Sequence, residues 1–599
     1  MMDTYIDFTQ PRSASASGEP GAPGARLRRR FGAARQVLAA HALHEVQGVL
    51  DAVEAAARAG LWCVGYVRYE AASAFDGALP THAADGPLAW FAVHEEALPW
   101  EGDAQETEAA HVTWHSSLAR EDFDQAMAQI HEAIASGAFY QVNYTAPLWG
   151  RLQQGSPEAL FAALLRAQPG GYAACLDTGE EQILSVSPEL FFDWDGRRIL
   201  TRPMKGTAPR GATPAEDAAL AEGLRSAPKE RAENVMIVDL LRNDLSRIAE
   251  PFSVQVPRLF HTQALPSVWQ MTSDVQATTR AGTRLSDVFA ALFPCGSVTG
   301  APKVAAMQMI RALEPQPRGV YCGALGVVRP GAGEGSDRGL HATFNVPIRT
   351  VVLRGPQAVC GIGSGITSGA LADSEWREWQ HKSAFVRRAS QPFALLETLA
   401  LEEGAWRHGP EHLQRLQEAA AHFAYPWSAR VAQCLEAVAR QHASGLWRVR
   451  LQLDAQGQAH AEAFACAPTP GPVRLRLASA PLEDGWAHGE FVRYKTTRRD
   501  HYEAFAPTDP AIFDTLLFNA QGEITECTRG NIAALMDGRW VTPPQACGLL
   551  PGVGRAIALR EGRLSEAVLR LSDLPRVQAW AFVNSLRGWL AAELEGGAP

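Results

Sequence analysis

The sequence predicts an α+β protein built from two domains. From residue 118 to about 389, helical patterns alternate with short β-rich runs such as YAACL, ILSVS and TVVLR. A second unit then begins with FALLETLALEEGAW, which has the pattern of a strand, a turn and a strand. We therefore expect a large domain over residues 1–389 and a smaller one over residues 390–599.

Each element of the first domain follows from its own spacing of apolar residues. A strand is expected over residues 61–69, because LWCVGYVRY is rich in aromatic and β-branched residues. Helices are predicted over residues 37–60, 121–136, 157–167, 228–249, 303–314 and 374–389. Strands and helices in one unit, without a strict βαβ order, favour an α+β fold.

The second domain shows the same mixture on a smaller scale. HLQRLQEAAAHFA predicts a helix, and RVRLQLDAQGQAHAEAF predicts a hairpin that turns at residues 454–457. A last α/β stretch runs from residue 473 to the end.

Composition narrows the class of protein. With 65 acidic against 55 basic residues among 599, the net charge is −10, and 46% of the residues are hydrophobic. This balance excludes a disordered chain and does not favour nucleic acid binding. No apolar run approaches the ~20 residues that span a bilayer, and the start has no leader pattern, so we expect a cytoplasmic enzyme. The nine cysteines form no Cys-x-x-Cys pair and are expected to be reduced thiols.

Two predicted helices carry pairs of carboxylates. Glu230 and Glu233 share one face of the first, and Glu375 and Glu378 share one face of the second. Such pairs on separate helices suit a hard divalent cation, which takes oxygen ligands from a few carboxylates, substrate and water. Solvated faces with Glu–Lys pairs would give the same pattern, so spacing alone leaves both interpretations open.

Two glycine-rich segments lie nearby in the sequence. GSVTGAPKVAAMQMI places Pro302 in the first turn of a helix, whose free amides would suit an anion. GIGSGIT, residues 361–367, follows a strand and would let bare backbone approach a ligand. A plain helix start and a tight turn explain these segments equally well.

These pieces, in this order, resemble the chorismate-utilising enzyme family, and within it most closely the aminodeoxychorismate synthases. The matching stretches are GYVRYEAASAFD, GAFYQVNYT, SPELFF, RPMKGT, KERAENVMIVDLLRNDLSRI, GSVTGAPK, FNVPIRT, GIGSGIT and SEWREWQHKSA. The resemblance implies layered antiparallel sheets with helices and a Mg²⁺ ion on Glu233 and Glu378, with Glu230 and Glu375 close by. The residues that it implies for chorismate binding are Gln141, Thr299, Tyr321, Arg349, Gly363, Ser364, Gly365 and Lys382.

Two positions choose among members of that family. Lys205 in PMKGT stands where aminodeoxychorismate synthases carry a lysine, and an uncharged lysine is a competent nucleophile. Gln141 stands where isochorismate and salicylate synthases place the lysine that activates water. The resemblance therefore implies that Lys205 adds at C2 of chorismate while the C4 hydroxyl leaves with a proton from Glu189. Ammonia then adds at C4 and expels Lys205.

The source of ammonia is expected outside the chain. No cysteine stands in a Gly-x-Cys-x-Gly setting of a glutaminase. The resemblance implies a separate glutamine amidotransferase subunit as partner, with free ammonia as the alternative donor.

The second domain carries a lysine and an acid in suggestive places. Lys495 in YKTT ends a β-rich run, and Glu526 in ECTRGN is expected at the end of a strand. Pyridoxal phosphate enzymes need a lysine that bonds the cofactor and an acid for its pyridinium nitrogen. Surface residues of these types are common, so these two positions alone decide nothing.

The sequence around Lys495 and Glu526 carries a second resemblance. ETLAL, HLQRL, YKTT, ECTRGNIAAL, LLPGVGR and VNSLRG resemble the fold-type IV pyridoxal phosphate enzymes, in particular the 4-amino-4-deoxychorismate lyases. This resemblance implies Lys495 as the cofactor lysine and Glu526 as the partner of N1. It also implies cofactor contacts by Arg415, Asn531, Val553 and Gly554, and a substrate contact by Thr398. The homodimer usual in that family is left open by the sequence.

The two resemblances support each other, because the product implied for the first domain is the substrate implied for the second. We expect a bifunctional synthase and lyase that makes 4-aminobenzoate from chorismate for folate synthesis, using Mg²⁺ and pyridoxal phosphate. Three alternatives stay open: an anthranilate synthase-like or chorismate-sensing first domain, an aminotransferase-like second domain, and a non-catalytic second domain.

Overall fold

The chain folds into two units. The computed structural model describes residues 3–10, 25–100, 109–209, 214–264, 268–333, 339–482 and 489–595. Contacts within the chain separate residues 1–391 from residues 392–599. The sequence division at 389/390 falls in the last turn of the helix that closes the first unit.

The first unit is rich in strands, most of them with alternating or continuous burial. They are β1 Thr4–Thr9, β2 Arg26–Phe31, β3 Gln36–Ala40, β4 Trp62–Val67, β5 Ala89–His94, β6 Leu98–Pro99, β7 His111–Ser116, β8 Gln141–Gln154, β9 Tyr172–Asp177, β10 Gln182–Ser187, β11 Leu190–Trp194, β12 Arg198–Arg202, β13 Met204–Pro209, β14 Gln255–Ala264, β15 Val268–Thr278, β16 Gly300–Ala301, β17 Ala324–Pro330, β18 Leu340–Asn345, β19 Thr350–Arg354 and β20 Gln357–Thr367.

These strands form two antiparallel sheets. The first has the order β16-β8-β20-β19-β10-β9-β1-β2-β6, with β7 beside β8. The second has the order β13-β15-β12-β11-β18-β17-β4-β5-β3, with β14 beside β15. The pairings of both sheets are antiparallel, as in β8 with β20 and β17 with β18. The layered antiparallel sheets expected from the sequence are therefore confirmed.

The helices of this unit are α1 Val46–Arg58, α2 Arg120–Ala135, α3 Pro157–Ala167, α4 Pro214–Ser226, α5 Pro228–Ser246, α6 Leu285–Leu292, α7 Lys303–Leu313 and α8 Ala372–Ser390. Five of the six predicted helices begin and end close to the predicted residues, whereas α4 and α6 were not predicted. The exception is the expected helix over residues 37–60, whose first residues belong to β3 and pair with β5. Pairing at a sheet edge outweighs helical spacing there. Pro302 caps α7 from outside the helix, which begins one residue later.

Three hydrophobic layers hold the first unit together. Phe8, Phe31, Tyr66 and Leu325 belong to one cluster that contains strands of both sheets. A second cluster packs α1, α5 and α6 against the second sheet, and a third packs α2, α3 and α8 against the first sheet. The order is thus helices, sheet, sheet, helices.

The second unit also mixes strands and helices. Its elements are β21 Leu395–Glu402, β22 Ala405–Arg407, α9 Gly409–Phe423, α10 Arg430–Gln441, β23 Leu446–Leu453, β24 Ala459–Ala465, β25 Val473–Leu477, α11 Glu490–Arg493, α12 Asp500–Glu503, β26 Asp514–Phe518, β27 Ile524–Cys527, β28 Asn531–Met536, β29 Arg539–Thr542, α13 Val553–Arg560, β30 Ser565–Glu566, β31 Ala579–Asn584 and β32 Gly588–Leu594.

Two sheets organise this unit. One has the order β22-β21-β23-β24 and contains the predicted hairpin, and α9 and α10 pack on it. The other has the order β27-β26-β25-β32-β31-β28-β29-β30 and includes parallel pairs such as β25 with β26. The β-rich run expected before Lys495 is instead the single helical turn α11.

Two further expectations concern the chain as a whole. All nine cysteines are free thiols, and most are buried, as their scattered spacing predicts. Within the described ranges, no helix is long and apolar enough to cross a membrane.

Candidate active sites

The first candidate site lies around Gly365 on β20. β8 pairs with β20 along its length, which sets Gln141 opposite Thr367 at the end of the ladder. Gln141 is completely buried, and among the described residues neither polar atom of its amide has a hydrogen-bond partner. A Cβ added to Gly365 would lie 2.9 Å from Lys205 Nζ and closer still to Gln141 Nε2. The amine and the amide therefore reach the same point above a residue without a side chain.

Lys205 comes from the other sheet of this unit. It is the second residue of β13, and Gly206 after it has a φ of 83°, which glycine adopts at little cost. A Cβ on Gly206 would lie 2.6 Å from Glu230 Oε2. The glycine thus lets α5 approach the strand, and it brings Lys205 next to the acidic face of that helix.

The four predicted carboxylates influence one another. Desolvation raises the pKa of Glu230, Glu233 and Glu375, and in each case other carboxylates of the set raise it further. Lys205 acts in the opposite direction on Glu230 and Glu233. The pairs on α5 and α8 therefore act on one another electrostatically.

Lys382 connects this acidic group to the glycine-rich strand. Its Nζ lies 2.7 Å from Glu378 Oε1 and donates to the carbonyl of Gly363 at 3.0 Å. Desolvation acts to raise the pKa of Glu378, but Lys382 and Lys205 hold it below its ordinary value. Glu378 is therefore charged at neutral pH and already has a cation beside it.

Ser364 anchors the other acid of α8. Its Oγ donates to Glu375 Oε2 at 2.5 Å and accepts from Trp379 Nε1 at 2.9 Å. Glu375 is 4% exposed, whereas the side chain of Glu378 is 48% exposed. Glu375 is thus part of the wall of the site, whereas Glu378, paired with Lys382, is open to solvent.

Glu189 lies between β10 and β11, with its carboxyl buried. It accepts a hydrogen bond from Ser297 Oγ at 2.7 Å. Desolvation raises the pKa of Glu189 to about 7, although Ser297, the charge of Lys205 and the backbone amide of Met204 each act to lower it. A carboxyl that is half protonated near neutral pH can donate or accept a proton, which is the property that general acid catalysis requires.

Arg318 ties β8 to the turn that contains Thr299. Its guanidinium donates to the carbonyls of Val298 and Asn143, both at 2.7 Å. Glu314 holds the same guanidinium through contacts of 2.6 Å and 2.8 Å. The N–H of Asn143 donates to the carbonyl of Thr299 at 2.7 Å. The predicted residue Thr299 is therefore held in a cross-linked backbone at the edge of the site.

Tyr321 and Arg349 contact other parts of the unit. The ring of Tyr321 packs on Gly361, where any Cβ would overlap it. Arg349 donates to Gln168 Oε1 at 2.5 Å and lies over the ring of Phe385, one turn beyond Lys382 on α8. Desolvation lowers the pKa of Arg349 to about 10. No hydrogen bond between described residues joins either side chain to the lysine and amide above Gly365.

The carboxylates of α5 and α8 offer the oxygen ligands that a hard divalent cation prefers. Within the described residues, no three His, Cys, Asp or Glu side chains are grouped closely enough to form a ready metal site. Mg²⁺ is usually bound by one or two carboxylates, with water and substrate oxygens completing the shell. Glu233 and Glu378 supply that number from two helices and influence each other electrostatically, so the donor set suits Mg²⁺.

The second candidate site is built around Lys495. The carbonyl of Lys495 accepts from the N–H of Leu396 at 2.9 Å, and the N–H of Thr497 donates to Ala394 at 2.8 Å. The lysine segment is therefore fixed beside β21. Desolvation, and then the charge of Arg415, lower the pKa of Lys495 to about 8. An uncharged fraction far larger than that of an ordinary lysine at neutral pH suits a lysine that bonds a carbonyl carbon.

Glu526 stands near Lys495, and each affects the pKa of the other. Its carboxyl accepts from Tyr502 Oη at 2.6 Å, from the N–H of Leu550 at 3.0 Å and from Asn531 Nδ2 at 3.3 Å. Desolvation raises its pKa to about 7. The predicted position at the end of a strand is confirmed, since Glu526 is the third of the four residues of β27.

Arg415 is held by a buried polar network. It forms two hydrogen bonds with Glu397, at 2.8 Å and 2.7 Å, and donates to the carbonyl of Pro551 at 3.1 Å. His412 contacts Glu397 through Nδ1 and Ser585 through Nε2, both at 2.7 Å. Desolvation alone would raise the pKa of Glu397, but Arg415 and His412 lower it to about 2. The guanidinium is thus fixed beside the lysine.

The start of α13 offers backbone amides next to this network. Val553 and Gly554 are its first residues, and first-turn amides have no acceptor within the helix. A Cβ on Gly554 would lie 2.7 Å from the backbone of Asn584. Asn531 Nδ2 donates to the carbonyl of Leu550 at 2.9 Å, just before this helix. A lysine, a carboxyl, an arginine and a helix start together suit pyridoxal phosphate.

Thr398 is the predicted residue with no hydrogen bond to this cluster among the described residues. It follows Glu397 on β21, and successive residues of a strand point to opposite faces. In the described part of the chain no hydrogen bond joins Thr398 to Lys495 or Glu526.

Several polar partners were not found from the sequence. Ser297, Glu397 and His412 lie inside quoted motifs, and Tyr502 follows Lys495 by seven residues. The sequence motifs therefore contained or adjoined these polar residues. A motif does not tell which of its polar side chains faces inward.

Comparison with known proteins agrees with this division of the chain. The family model for chorismate binding enzymes matches residues 17–388, and the model for class IV amino-transferases matches residues 394–593. All the residues of the first site lie in the first match, and all those of the second site lie in the second.

Individual relatives resemble the first unit. Aminodeoxychorismate synthase component 1 of Klebsiella aerogenes is 39% identical over 265 residues, which are 44% of this chain and 57% of that protein. Anthranilate synthase component 1 of Methanothermobacter thermautotrophicus is 33% identical over 352 residues, 55% of this chain and 74% of that protein. The chain thus spans little more than half of the first relative.

A solved structure supports the fold. A Bacillus anthracis protein assigned as a 2,3-dihydroxybenzoate-specific isochorismate synthase superposes with a TM-score of 0.51 at 18% identity, covering 64% of this chain and 95% of that one. The layered sheets are thus shared at low identity. By the match over residues 17–388, the chain belongs to the chorismate binding enzyme family.

Proposed function

We propose that the chain makes 4-aminobenzoate from chorismate in two steps. The first site aminates chorismate at C4 to give 4-amino-4-deoxychorismate, and the second removes pyruvate from that product. The observation that carries the proposal is the approach of Lys205 Nζ to the point above Gly365, close to the buried acid Glu189. The match to class IV amino-transferases supports a second, different chemistry in the same chain.

Recognition of a dianionic substrate requires local cations, because the chain has a net charge of −10. Lys382 and Arg349 supply fixed positive charge, and the backbone of Gly363, Ser364 and Gly365 supplies amide donors. Mg²⁺, held by Glu233 and Glu378 with Glu230 and Glu375 nearby, would add charge for a substrate carboxylate. A cation at Glu378 would also release Lys382 to bind substrate.

The amination step uses Lys205 and Glu189. The uncharged amine of Lys205 adds at C2 while the C4 hydroxyl leaves, and Glu189 gives that hydroxyl a proton so that it departs as water. Ammonia then adds at C4, and the C2–nitrogen bond to Lys205 breaks. Gln141 has an amide without a protein partner at this point, which suits a contact with substrate or ammonia.

The ammonia is proposed to come from a separate glutamine amidotransferase subunit. The names of the relatives speak of a component 1, which is consistent with a second component. No cysteine of the sequence stands in a glutaminase motif.

The elimination step uses the second site. Pyridoxal phosphate bound there would withdraw electrons from the carbon that carries the substrate amine. Lys495, with a pKa of about 8, would hold the cofactor and take the C4 proton of the substrate. Glu526 would hold the pyridinium nitrogen, and Arg415 with the amides of Val553 and Gly554 would hold the phosphate. Thr398 is proposed to contact the substrate.

A product assay tests the proposal. The purified chain is given chorismate, Mg²⁺, an ammonium salt and pyridoxal phosphate, and 4-aminobenzoate, anthranilate and pyruvate are separated by chromatography. We expect 4-aminobenzoate and pyruvate in equal amounts. Anthranilate as the main product would contradict the role of Lys205 and would favour the function named for the Methanothermobacter relative.

A further inference from the structure

Ser297 is a buried hydroxyl in the turn between α6 and α7. It is 5% exposed, and Glu189, which accepts its hydrogen bond, is 4% exposed. The distance of 2.7 Å from Ser297 Oγ to Glu189 Oε1 is that of a strong hydrogen bond to a carboxyl group. Both groups are thus shielded from water, so a water molecule does not readily replace either partner in this hydrogen bond.

The hydroxyl of Ser297 has a second polar neighbour besides Glu189. Cys295 Sγ lies 3.2 Å from Ser297 Oγ. Desolvation, followed by the charge of Glu189, raises the pKa of the Cys295 thiol to about 12. The thiol therefore keeps its hydrogen at neutral pH and is able to donate it to Ser297, while the hydroxyl of Ser297 donates to Glu189.

The backbone around Ser297 is held from both sides. Thr299 Oγ1 donates to the carbonyl of Cys295 at 3.0 Å, and Arg318 donates to the carbonyl of Val298 at 2.7 Å. The chain Cys295, Ser297, Glu189 is therefore a fixed row of hydrogen bonds that ends at the proposed acid.

We propose that Ser297 is a positioning residue that fixes the carboxyl of Glu189 for proton delivery to the leaving hydroxyl, with Cys295 orienting Ser297. Only the naming of Glu189 as the acid rests on the proposed function. The hydrogen bond itself and its effect on Glu189 do not depend on which product the first site makes.

The charged groups around Glu189 determine how its pKa responds to a substitution at Ser297. The titratable groups that act on it or respond to it are Lys205 of β13, Lys382 of α8, Cys295 and Cys322. A substitution at Ser297 removes none of these groups. It removes a donor that favours the charged carboxylate, so the pKa of Glu189 should rise by about one to two units.

The first measurement needs no substrate. Infrared difference spectra of the full chain, recorded against pH and assigned with Glu189→Gln, follow the protonation of the Glu189 carboxyl. We expect Ser297→Ala to move its midpoint up by at least about one pH unit, and Ser297→Thr, which keeps the hydroxyl, to restore it. Ser187→Ala is the matched control, because Ser187 Oγ accepts from the backbone N–H of Glu189 and does not contact its carboxyl.

The second measurement is the pH profile of chorismate consumption. An acid acts only when protonated, so kcat/KM declines above its pKa. Ser297→Ala should shift that decline to higher pH and lower kcat about tenfold at pH 7 through lost orientation, with KM for chorismate changed less than about threefold. Ser297→Thr should recover both values.

The outcomes separate cleanly. An unchanged infrared midpoint in Ser297→Ala, or an equal shift in Ser187→Ala, overturns the inference. If Ser297→Ala does not fold, Cys295→Ala decides, since it should shift the midpoint in the same direction by a smaller amount, and no shift overturns the inference. A wild-type chain that makes anthranilate would refute the proposed function and leave the infrared test intact.

Discussion

Glu397 should account for a measurable part of the acid sensitivity of the second unit. Its pKa in the folded chain is about 2, against an ordinary value of 4.5, because Arg415 and His412 outweigh desolvation. The folded state therefore binds the Glu397 proton more weakly than the unfolded state does. Stability from this group is complete above pH 4.5 and is lost as the pH falls toward 2.

The magnitude follows from the difference of 2.5 pKa units between these two values. At about 1.4 kcal/mol for each unit, Glu397 contributes about 3 kcal/mol to the free energy of unfolding at pH 7. At pH 3 the same relation leaves about 1 kcal/mol. Glu397→Gln should therefore destabilise the unit by about 3 kcal/mol at pH 7 and by much less at pH 3.

Urea denaturation of the full chain at several pH values, followed by hydrogen exchange in peptides from β21 and α9, measures this loss in the second unit alone. The control is Glu402→Gln on the same strand, whose carboxylate is 53% exposed and pairs with Arg407 at 2.6 Å. An exposed pair contributes at most about 1 kcal/mol. An effect of Glu397→Gln that is equal at pH 7 and pH 3 would refute the reasoning.

Three further outcomes are expected. Lys495→Ala should accumulate 4-amino-4-deoxychorismate, whereas Lys205→Ala should leave chorismate unconsumed; chromatography of the products distinguishes them, and undiminished 4-aminobenzoate from either variant would reject that residue's role. The wild-type kcat/KM for chorismate should decline above about pH 7, because Glu189 must be protonated, and a profile flat to pH 9 in rapid assays would contradict this. Arg318→Met should cost about 3–5 kcal/mol in urea denaturation, since it leaves Glu314 buried without its cation; a loss below about 1 kcal/mol would show that water replaces the pair.

Much of the fold could be predicted because its signals are local. α3 begins at Pro157 and ends at Ala167 as the spacing indicates, with Ser156 capping it through a hydrogen bond to Ala159. The residues 36–40 could not be assigned in the same way. Their apolar run suits a helix, and only the distant strand β5 makes it an edge strand.

The same contrast between local and long-range signals applies to the residues of the two sites. The carboxylates of α5 and α8 were predictable, since helical spacing fixes a shared face. The meeting of Lys205 with Gln141 was not, because these residues belong to different sheets and only the packing of the two sheets joins them. The network of Glu397 was missed for a related reason, since His412 and Ser585 are distant in sequence and meet through tertiary structure.

A substitution at Gly365 would separate the two proposed activities. Its backbone lies in an ordinary strand conformation, so an alanine there carries no conformational penalty, and its only cost is the volume of one methyl group where Lys205 and Gln141 meet. That methyl would displace the ends of Lys205 and Gln141 and close the first site without removing any ionisable group. A Gly365→Ala chain would then keep the lyase reaction and lack the synthase reaction. The rate of the lyase reaction could be measured with added 4-amino-4-deoxychorismate, without conversion of chorismate in the same sample.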